Sequence, residues 1–292
     1  LHNCVGKAVL AETNKMKAGE IVLLENVRFH PEEEACEPHF TKELAELGHI
    51  FVNDAFAACH RKHSSTAGLA KYLPSYAGFL VEKEVKNLTP LLSKFGKPLA
   101  LVVGGAKVDT KIGLLKNYFG KAEYILIGGA LANTFLAAQG FDVGKSLFEK
   151  NKLDVARNLL LTAEKRGQKI LLPEDVVVAD VATEYAKTLD LPLEDIEGDM
   201  KILDIGSKTR KKYTEILKKC KTVIMNGPMG LYEFTPFASG TREILVALAK
   251  LKGKTKVYLG GGDTIDSLKR CKIPTKKYTF VSTGGGAMLE FL

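Results

Sequence analysis

The sequence predicts an α/β protein with parallel sheets, divided into about two domains. Short β-branched runs alternate with helical patterns along the 292 residues, which is typical of βαβ units. Single hydrophobic cores stop growing at roughly 250–300 residues, so a chain of this length favours two domains over one. Hydrophobic residues make up 46% and charged residues 26%. This composition argues against a disordered, collagenous or disulfide-stapled chain.

Nine short apolar runs are predicted as strands, at 21–24, 50–53, 99–103, 124–127, 169–172, 176–178, 222–225, 256–259 and 279–282. Helical patterns lie between them, at 40–47, 107–119, 130–138, 152–166, 208–219 and 236–250. A further helical pattern at 78–95 coincides with a change in charge balance. We therefore predict a first domain at 1–77, a connecting helix at 78–95 and a second domain at 96–292.

The net charge is +8 and is unevenly placed, at −2 over residues 1–80 and +10 over the rest. A basic half is expected for a partner that carries phosphates, either a nucleic acid or a nucleotide, and charge alone does not choose between them. The densest basic cluster, at 208–221, follows an amphipathic helical pattern, which favours a solvated outer face. The five cysteines are scattered without C-x-x-C spacing, which favours reduced intracellular thiols.

Five predicted strands of the second half each end in a small, flexible turn followed by a helix start. In an open parallel sheet such turns gather at the carboxyl edge, where ligands bind. Glycine allows close approach of the backbone, and helix N-terminal amides attract anions. Five such turns in one sheet predict a phosphate-rich ligand, and they are Gly104-Gly105-Ala106-Lys107, Gly128-Gly129-Ala130, Asn226-Gly227-Pro228-Met229-Gly230, Gly260-Gly261-Gly262-Asp263-Thr264 and Thr283-Gly284-Gly285-Gly286.

Charged residues accompany these turns. Lys107 and Lys111 are four residues apart at a predicted helix start, so both ammonium groups are expected on one helix face, to hold a polyphosphate or to be solvated. Asp263 either caps a helix or holds Mg²⁺. Glu233, just after the Asn-Gly-Pro turn, either accepts ribose hydroxyls or is a surface carboxylate.

Two common nucleotide motifs are absent. The segment from Gly140 to Ser146 imitates a P-loop, but it has three residues between its glycines instead of four, and it follows a helix rather than a strand. The fingerprint G-x-G-x-x-G is missing, which makes a nicotinamide enzyme an unfavoured class. The longest uncharged stretch, 124–141, is interrupted by glycines and polar residues, so no membrane span is predicted.

The first half supplies one arginine after each of two predicted strands, Arg28 and Arg61. The planar fork of arginine suits a carboxylate or phosphate of an anionic substrate, although Arg28 could instead pair with one of the glutamates at 32–34. For His60 and His63 we favour packing or hydrogen-bonding roles, because no serine or cysteine nucleophile is placed for them.

Together these segments closely resemble the phosphoglycerate kinase family, in order and along essentially the whole chain. The matching motifs are Leu23-Leu-Glu-Asn-Val-Arg-Phe-His30, Asn53-Asp-Ala-Phe56 with His60-Arg61, Gly104-Gly-Ala-Lys-Val108 with Lys111, Asn226-Gly-Pro228 with Gly230 and Glu233, Phe237-Ala-Ser-Gly-Thr241, Gly260-Gly-Gly-Asp-Thr264, and Ser282-Thr-Gly-Gly-Gly286.

The resemblance implies two Rossmann-like three-layer α/β/α domains, with parallel sheets facing each other across a cleft that closes over the substrates. It implies reversible transfer of the acyl phosphate of 1,3-bisphosphoglycerate to ADP, giving 3-phosphoglycerate and ATP in glycolysis and gluconeogenesis. Such an enzyme is expected to use Mg²⁺, with ADP or ATP on the second domain and the phosphoglycerate on the first. A cytoplasmic monomer without a nucleic-acid or membrane partner is the expectation by family analogy.

Site roles follow from the resemblance, residue by residue. Lys107 and Lys111 would neutralise the nucleotide phosphates and the moving phosphoryl group. Amides of the catalytic glycines would stabilise its oxygens, Asp263 would hold the metal, Thr264 the β-phosphate and Glu233 the ribose. Arg28 and Arg61 would grip the phosphoglycerate. The catalytic glycines are Gly261, Gly262, Gly285 and Gly286, and the remaining nucleotide-binding residues are Gly105, Ala106, Gly128, Gly129, Asn226 and Pro228.

The sequence departs from the family pattern at its two ends. The family's opening segment, with an Asp-x-Asn substrate motif and a His-x-Gly-Arg loop, has no counterpart before Leu1, and its closing segment has none after Leu292. The expectation is therefore a truncated phosphoglycerate kinase with an incomplete first domain, which binds nucleotide better than it turns over substrate. The alternative is a nucleotide-binding fragment without catalytic activity. Smaller departures are Ala57, Cys59, Ala130 and Asn133.

Overall fold

The computed structural model describes residues 1–292, and the chain divides into two compact units. Unit 1 is Leu1–Asn87 and unit 2 is Leu88–Leu292. The division falls inside the segment 78–95 in which the sequence changes charge balance. None of the helices has the length and apolar character needed to cross a membrane.

Unit 1 holds a two-stranded parallel sheet with helices around it. Strand β1 runs alongside β2, with Val52 opposite Tyr76. A π-helix at Ser64–Gly68 lies between β1 and β2 along the chain. The helices and strands are α1 (Lys7–Asn14), α2 (Pro31–Ala35), α3 (Pro38–Ala45), β1 (Phe51–Asn53), β2 (Ser75–Ala77) and α4 (Phe79–Leu88), the last of which reaches the unit boundary.

A carboxylate after β1 fixes the start of α4. Asp54 Oδ1 accepts hydrogen bonds from the amides of Leu80, at 2.6 Å, and Val81, at 3.1 Å. These first-turn amides have no partner within the helix, and a negative charge there also complements the helix dipole. The chain segment after β1 is thereby tied to the helix that follows β2.

The strand predicted at 21–24 is absent. Residues 21–26 form no ladder, and the side chains of Ile21 and Leu23 are 93% and 85% exposed. An apolar β-branched run is a strand only where another strand offers it hydrogen-bond partners, and here none does. That prediction is therefore wrong.

Unit 2 is built on a six-stranded parallel sheet with the order β11-β10-β9-β3-β4-β5. The chain passes from β3 outwards to β5, returns to the other side of β3 and continues outwards from β9 to β11. The order reverses between β3 and β9, which makes this pair the topological switch point. The strands are β3 (Leu99–Val103), β4 (Tyr124–Ile127), β5 (Lys169–Leu171), β9 (Thr222–Asn226), β10 (Lys256–Gly260) and β11 (Phe280–Val281).

The two central strands carry the core of unit 2. Every residue of β3 and of β9 is buried, as expected for a parallel sheet covered by helices on both faces. The covering helices supply apolar residues to one continuous cluster, including Tyr213, Leu217 and Leu245. The helices of unit 2 are α5 (Pro90–Ser93), α6 (Asp109–Tyr118), α7 (Gly129–Gln139), α8 (Leu153–Lys165), α9 (Ser207–Lys219), α10 (Ser239–Lys250), α11 (Gly262–Arg270) and α12 (Gly286–Phe291).

A separate antiparallel sheet departs from the predicted parallel sheets. Strand β6 (Asp175–Ala179) is central in a three-stranded sheet, between β7 (Leu189–Pro192) and β8 (Lys201–Ile205). The run at 176–178 was expected in the parallel sheet, and β7 and β8 were not predicted. Polar and apolar residues are mixed in β7 and β8, so their sequences alone do not predict strands. Hydrogen bonding to β6 makes these segments strands.

Candidate active site

A cavity of about 560 Å³ opens at the carboxyl edge of the six-stranded sheet. It lies where the turns after β3, β4, β9 and β10 meet, beside the switch point at which α/β sheets bind ligands. Six of the residues proposed from the sequence line it, namely Gly105, Ala106, Gly129, Pro228, Glu233 and Asp263.

The turns after β3, β4 and β9 pack against each other through their backbones. The amide of Gly105 donates to the Pro228 carbonyl at 2.9 Å, and the amide of Gly129 donates to the Met229 carbonyl at 2.7 Å. A Cβ on Gly129, whose φ is +64°, would lie 2.7 Å from the Gly105 nitrogen. Gly128 is likewise engaged, since its amide donates to the Val103 carbonyl at 2.9 Å. These glycines shape the cavity wall, and their amides already donate to backbone carbonyls.

The turn after β10 brings the other glycines together. Gly261 has φ +105°, and a Cβ on Gly285 would lie 3.5 Å from the Gly261 Cα, so the turns after β10 and β11 are in contact. Helix α11 starts at Gly262, and its first amides have no partner inside the helix, which favours an anion there. Gly286 is the first residue of α12.

Thr264 is fully buried in the first turn of α11. Its Oγ1 accepts a hydrogen bond from the amide of Gly227 at 2.9 Å. The side chain therefore links the turn after β10 to the turn after β9. This contact is not predicted from the sequence.

Lys111 lies at the centre of this edge and is only 8% exposed. Its Nζ donates to Oδ1 of Asn226, the last residue of β9. Burial lowers the pKa of Lys111 to about 8, and the negative charge of Asp263 opposes part of that shift. Asn226 is 2% exposed, and its Nδ2 has no hydrogen-bond partner. The pair therefore presents an ammonium group and a spare amide donor.

Lys107 does not share a helix face with Lys111, so the prediction made from their four-residue spacing is wrong. Helix α6 begins at Asp109, so Lys107 lies in the preceding loop and is exposed. The amide of Val108 donates to Oε2 of Glu149 at 2.5 Å, and this contact holds the loop next to Lys107. One lysine is thus fixed and buried, and the other is free in solvent.

Two of the three carboxylates that line the cavity, Asp263 and Glu233, are exposed at its surface. No cluster of three or more His, Cys, Asp or Glu side chains could hold a metal ion by itself. Mg²⁺ usually takes one or two carboxylates and completes its coordination with substrate phosphates and water. A single accessible carboxylate at a helix start is therefore compatible with Mg²⁺ carried by a nucleotide.

Several cavity residues were missed from the sequence. The wall opposite α7 comes from β8, including Ile202 and Asp204, and part of the rim comes from Lys145 to Leu147. The segment from Gly140 to Ser146 is a loop, as predicted, but its end lines the cavity. No local signal marks these residues, because their position depends on the unpredicted strand β8.

Asp204 is a buried carboxylate in this wall. Its two oxygens accept from the amides of Ile205, at 2.9 Å, and Gly240, at 2.6 Å. Burial raises its pKa to about 7, against the lowering effect of these amides. It ties the end of β8 to the start of α10.

Tyr232 links the loop after β9 to α11. Its hydroxyl donates to Asp266 at 3.1 Å, and Asp266 also accepts from Arg270 at 2.8 Å. The guanidinium of Arg270 lies 5.9 Å from the centre of the Tyr232 ring. Arg270 also donates to the Glu233 carbonyl at 3.5 Å, so the loop that carries Glu233 is held against α11, whose first turn carries Asp263.

In unit 1, Arg28 is already paired. Its Nε donates to Glu34 at 2.8 Å, and a second nitrogen contacts the same oxygen. The hydrogen bond from Arg28 holds the pKa of the Glu34 carboxyl below its usual range, and the charges of His63 and Arg61 act in the same direction. Arg61 is exposed. Both arginines therefore lie near one carboxylate of unit 1.

His60 and His63 of unit 1 lie among groups that indicate hydrogen-bonding and packing roles. His63 Nδ1 lies 3.8 Å from the buried carboxylate of Glu33, which accepts hydrogen bonds from the Ser65 amide and hydroxyl. His60 is partly buried, and its Nδ1 has no hydrogen-bond partner. Neither histidine contacts a nucleophile, so the hydrogen-bonding and packing roles remain the prediction for them.

Fold and site together define a class, an α/β protein with a doubly wound sheet and a cavity at its switch point. Comparisons with known proteins give the family. The family model of phosphoglycerate kinase matches residues 1–292. The chain belongs to the phosphoglycerate kinase family.

Relatives and solved structures agree with this assignment. Phosphoglycerate kinases from Pelotomaculum thermopropionicum and Herpetosiphon aurantiacus are 48% and 46% identical over 99% and 100% of the chain, which spans 73% of the length of each. The structure of phosphoglycerate kinase from Coxiella burnetii aligns with TM-score 0.82 and 41% identity, over 94% of this chain and 70% of that one. The one from Pyrococcus horikoshii aligns with TM-score 0.86 and 34% identity, over 99% and 74%.

Family membership confirms three predictions made from the motifs: the α/β fold class, the enzyme class and the function of a phosphoglycerate kinase.

Proposed function

We propose that unit 2 binds ADP or ATP together with Mg²⁺, that unit 1 binds 3-phosphoglycerate or 1,3-bisphosphoglycerate, and that the protein acts as a cytoplasmic monomer. The observation that carries the nucleotide half is the fixed pair of Lys111 and Asn226, which lies next to Gly261 at the start of α11 and within electrostatic reach of Asp263. A buried ammonium group next to free helix amides suits a polyphosphate better than any neutral ligand.

The nucleotide would lie across the switch point. Gly105, Ala106, Gly128, Gly129 and Pro228 form or support the cavity wall and would frame the adenosine. Glu233 would accept ribose hydroxyls, since its exposed carboxylate lies on the rim.

The phosphates would lie towards β10. Amides of the α11 start, at Gly261 and Gly262, would donate to phosphate oxygens. Thr264 would contribute its backbone amide and its hydroxyl hydrogen, because the contact with Gly227 uses only the hydroxyl oxygen as acceptor. Gly285 and Gly286 would add amides from the neighbouring turn. Asp263 would hold the Mg²⁺, which when bound neutralises charge on the nucleotide phosphates.

The phosphoglycerate would bind to Arg28 and Arg61, whose guanidinium groups match phosphate and carboxylate geometry. Arg28 would exchange its contact with Glu34 for the ligand.

The transfer itself needs no protein nucleophile, because the attacking oxygen belongs to a nucleotide phosphate or to the glycerate carboxylate. The chain's residues would position the substrates and stabilise charge on the moving phosphoryl group. Lys111 would do so from a preset position, and Lys107 would close onto the phosphates from its solvated loop. The site would thereby combine the fixed charge of Lys111 with the charge of Lys107 on its loop.

The test is a calorimetric titration of the chain with Mg-ADP, beside Asp263→Asn. We expect saturable binding that the variant weakens about tenfold or more, because Mg²⁺ loses its carboxylate. The matched control is Asp154→Asn, at an exposed carboxylate of α8 that pairs only with Arg157. Equal affinities of all three proteins for Mg-ADP would contradict the metal role of Asp263, and absence of binding by a folded chain would contradict the nucleotide site.

A further inference from the structure

The edge of the six-stranded sheet opposite the cavity is strongly basic. Because all six strands run parallel, their amino ends lie together at this edge, and the chain enters each strand from a helix through a short connection. The six connections hold ten Lys or Arg residues and one acidic residue, Glu123. Lys169 and Lys256, the first residues of β5 and β10, add two further positive charges. The connections are 94–98, 119–123, 166–168, 220–221, 251–255 and 271–279.

These twelve basic side chains face solvent and are almost all unpaired. All of them except Lys121 are exposed. One has a carboxylate partner, since Lys97 Nζ lies 3.2 Å from Glu123. Lys121 and Lys252 donate to uncharged oxygens, at 3.0 Å and 2.6 Å. The amino edge therefore presents charge of a single sign.

The helix dipoles do not account for this charge. The helices that precede the strands end at the same edge, and cations stabilise helix C-termini, but the effect falls off within the last turn. That turn has basic residues of its own, which lie outside the connections, among them Lys165 of α8, Lys218 of α9 and Lys250 of α10. Solubility does not require the edge charges either, because it is served by interspersed charges of both signs. Crowded like charges repel each other, and a polyanion would neutralise them.

We propose that the amino edge of unit 2 binds the sugar-phosphate backbone of double-stranded nucleic acid without reading its sequence. Five steps between strands make the edge about 24 Å long, and a duplex segment of that length carries about fourteen phosphates. Such a segment is long enough to engage most of the edge cations. The proposal is independent of the nucleotide site at the opposite edge, and it departs from the expectation, by family analogy, of no nucleic-acid partner.

The side chains of the edge favour a duplex over two other polyanions. None of the exposed large apolar side chains lies in the six connections, so no group inserts into a lipid bilayer, and basic charge alone anchors a protein weakly to membranes. The aromatic residues of the connections, Phe95, Phe119 and Tyr278, are not exposed, so no ring is presented for the unpaired bases of a single strand. Arg166 is the one arginine among the ten cations, and the lysines act as point charges suited to phosphates.

The test is fluorescence anisotropy of a labelled DNA duplex of 24 base pairs, titrated with the whole chain between 50 and 200 mM NaCl. Two variants each remove three exposed positive charges of unit 2, one set at the amino edge and one set away from it. The edge variant combines Lys221→Gln, Lys254→Gln and Lys256→Gln, and the control variant combines Lys150→Gln, Lys187→Gln and Lys208→Gln.

We expect the affinity of wild type for the duplex to fall about 10³-fold or more over this salt range, because each phosphate contact releases counterions. The edge variant should bind about tenfold or more weakly at 50 mM NaCl. Its plot of log affinity against log salt concentration should be shallower by about one for each lysine removed. The control variant should keep the wild-type slope.

Absence of duplex binding at 50 mM NaCl would overturn the proposal, as would equal losses of affinity in the edge and control variants. Tighter binding to single-stranded DNA of the same length, or to vesicles that contain phosphatidylserine, would overturn the assignment to a duplex. Displacement of the duplex by Mg-ADP would place it in the nucleotide cavity and overturn the edge as its site. The wild-type titrations do not depend on the folding of the variants, which circular dichroism checks.

Discussion

Unit 1 and unit 2 carry equally clear sequence motifs, but they differ in how their sheets are buried. In unit 2 every residue of β3 and β9 is buried. In unit 1 the sheet has two short strands, and Val52 and Tyr76 within it are 54% and 62% exposed. The difference teaches that a motif marks where a ligand-binding turn belongs, whereas the burial of its strands decides how firmly that turn is held.

The largest expected effect is on stability and uses the same substitution in both units. Leu101 on β3 is fully buried and Leu23 in unit 1 is 85% exposed. Leu101→Ala should lower the free energy of unfolding by about 2–5 kcal/mol, because it leaves a cavity in the core. Leu23→Ala should change it by less than about 0.5 kcal/mol.

Urea unfolding followed by circular dichroism measures both values. Similar destabilisation by the two variants would break the comparison between the units.

A smaller effect is expected in the pH dependence of ligand binding. Because burial lowers the pKa of Lys111 to about 8, the ligand-free protein loses this charge as the pH rises above that value. The affinity for Mg-ADP should then fall, approaching about tenfold per pH unit. The affinity for 3-phosphoglycerate should stay level over the same range, because Lys111 is not among the residues proposed to bind it.

Calorimetric titrations between pH 7 and 9.5 separate the two ligands, and Lys111→Met should give weak, nearly level binding of Mg-ADP. Lys116→Met, at an exposed lysine of the same helix, serves as the control. A parallel decline for both ligands would show that the charge of Lys111 is not responsible.

The smallest effect is expected at the surface of unit 1. Glu34→Gln removes the carboxylate that holds Arg28 and should raise the affinity for 3-phosphoglycerate about twofold, since exposed pairs are weak. The control Glu12→Gln breaks a similar exposed pair, with Lys15. Weaker binding in Glu34→Gln would mean that Glu34 positions Arg28 for the ligand instead of competing for it.

The strands of the large sheet could be predicted because continuous apolar runs such as that of β3 occur mainly in buried parallel strands. The same rule failed at 21–24, where the run has no neighbouring strand. The run at 176–178 is a buried strand as predicted, but it pairs antiparallel with two strands of weak local signal. Pairing is a long-range property, and periodicity within a short window does not contain it.

The site shows the same division between local and long-range information. Glycine turns and helix starts are local, so the edge of the sheet and the side of the cavity formed by its turns could be located. The contact of Lys111 with Asn226 joins residues 115 positions apart. Such pairs become visible only when the fold brings the segments together.

The most direct test of the central claim is hydrogen–deuterium exchange of the whole chain with and without Mg-ADP. The account predicts slower exchange at residues 104–111, 226–233 and 261–264, with exchange in residues 1–77 unchanged. Slower exchange confined to unit 1, or none in the turns after β3, β9 and β10, would contradict a nucleotide site at the switch point of unit 2.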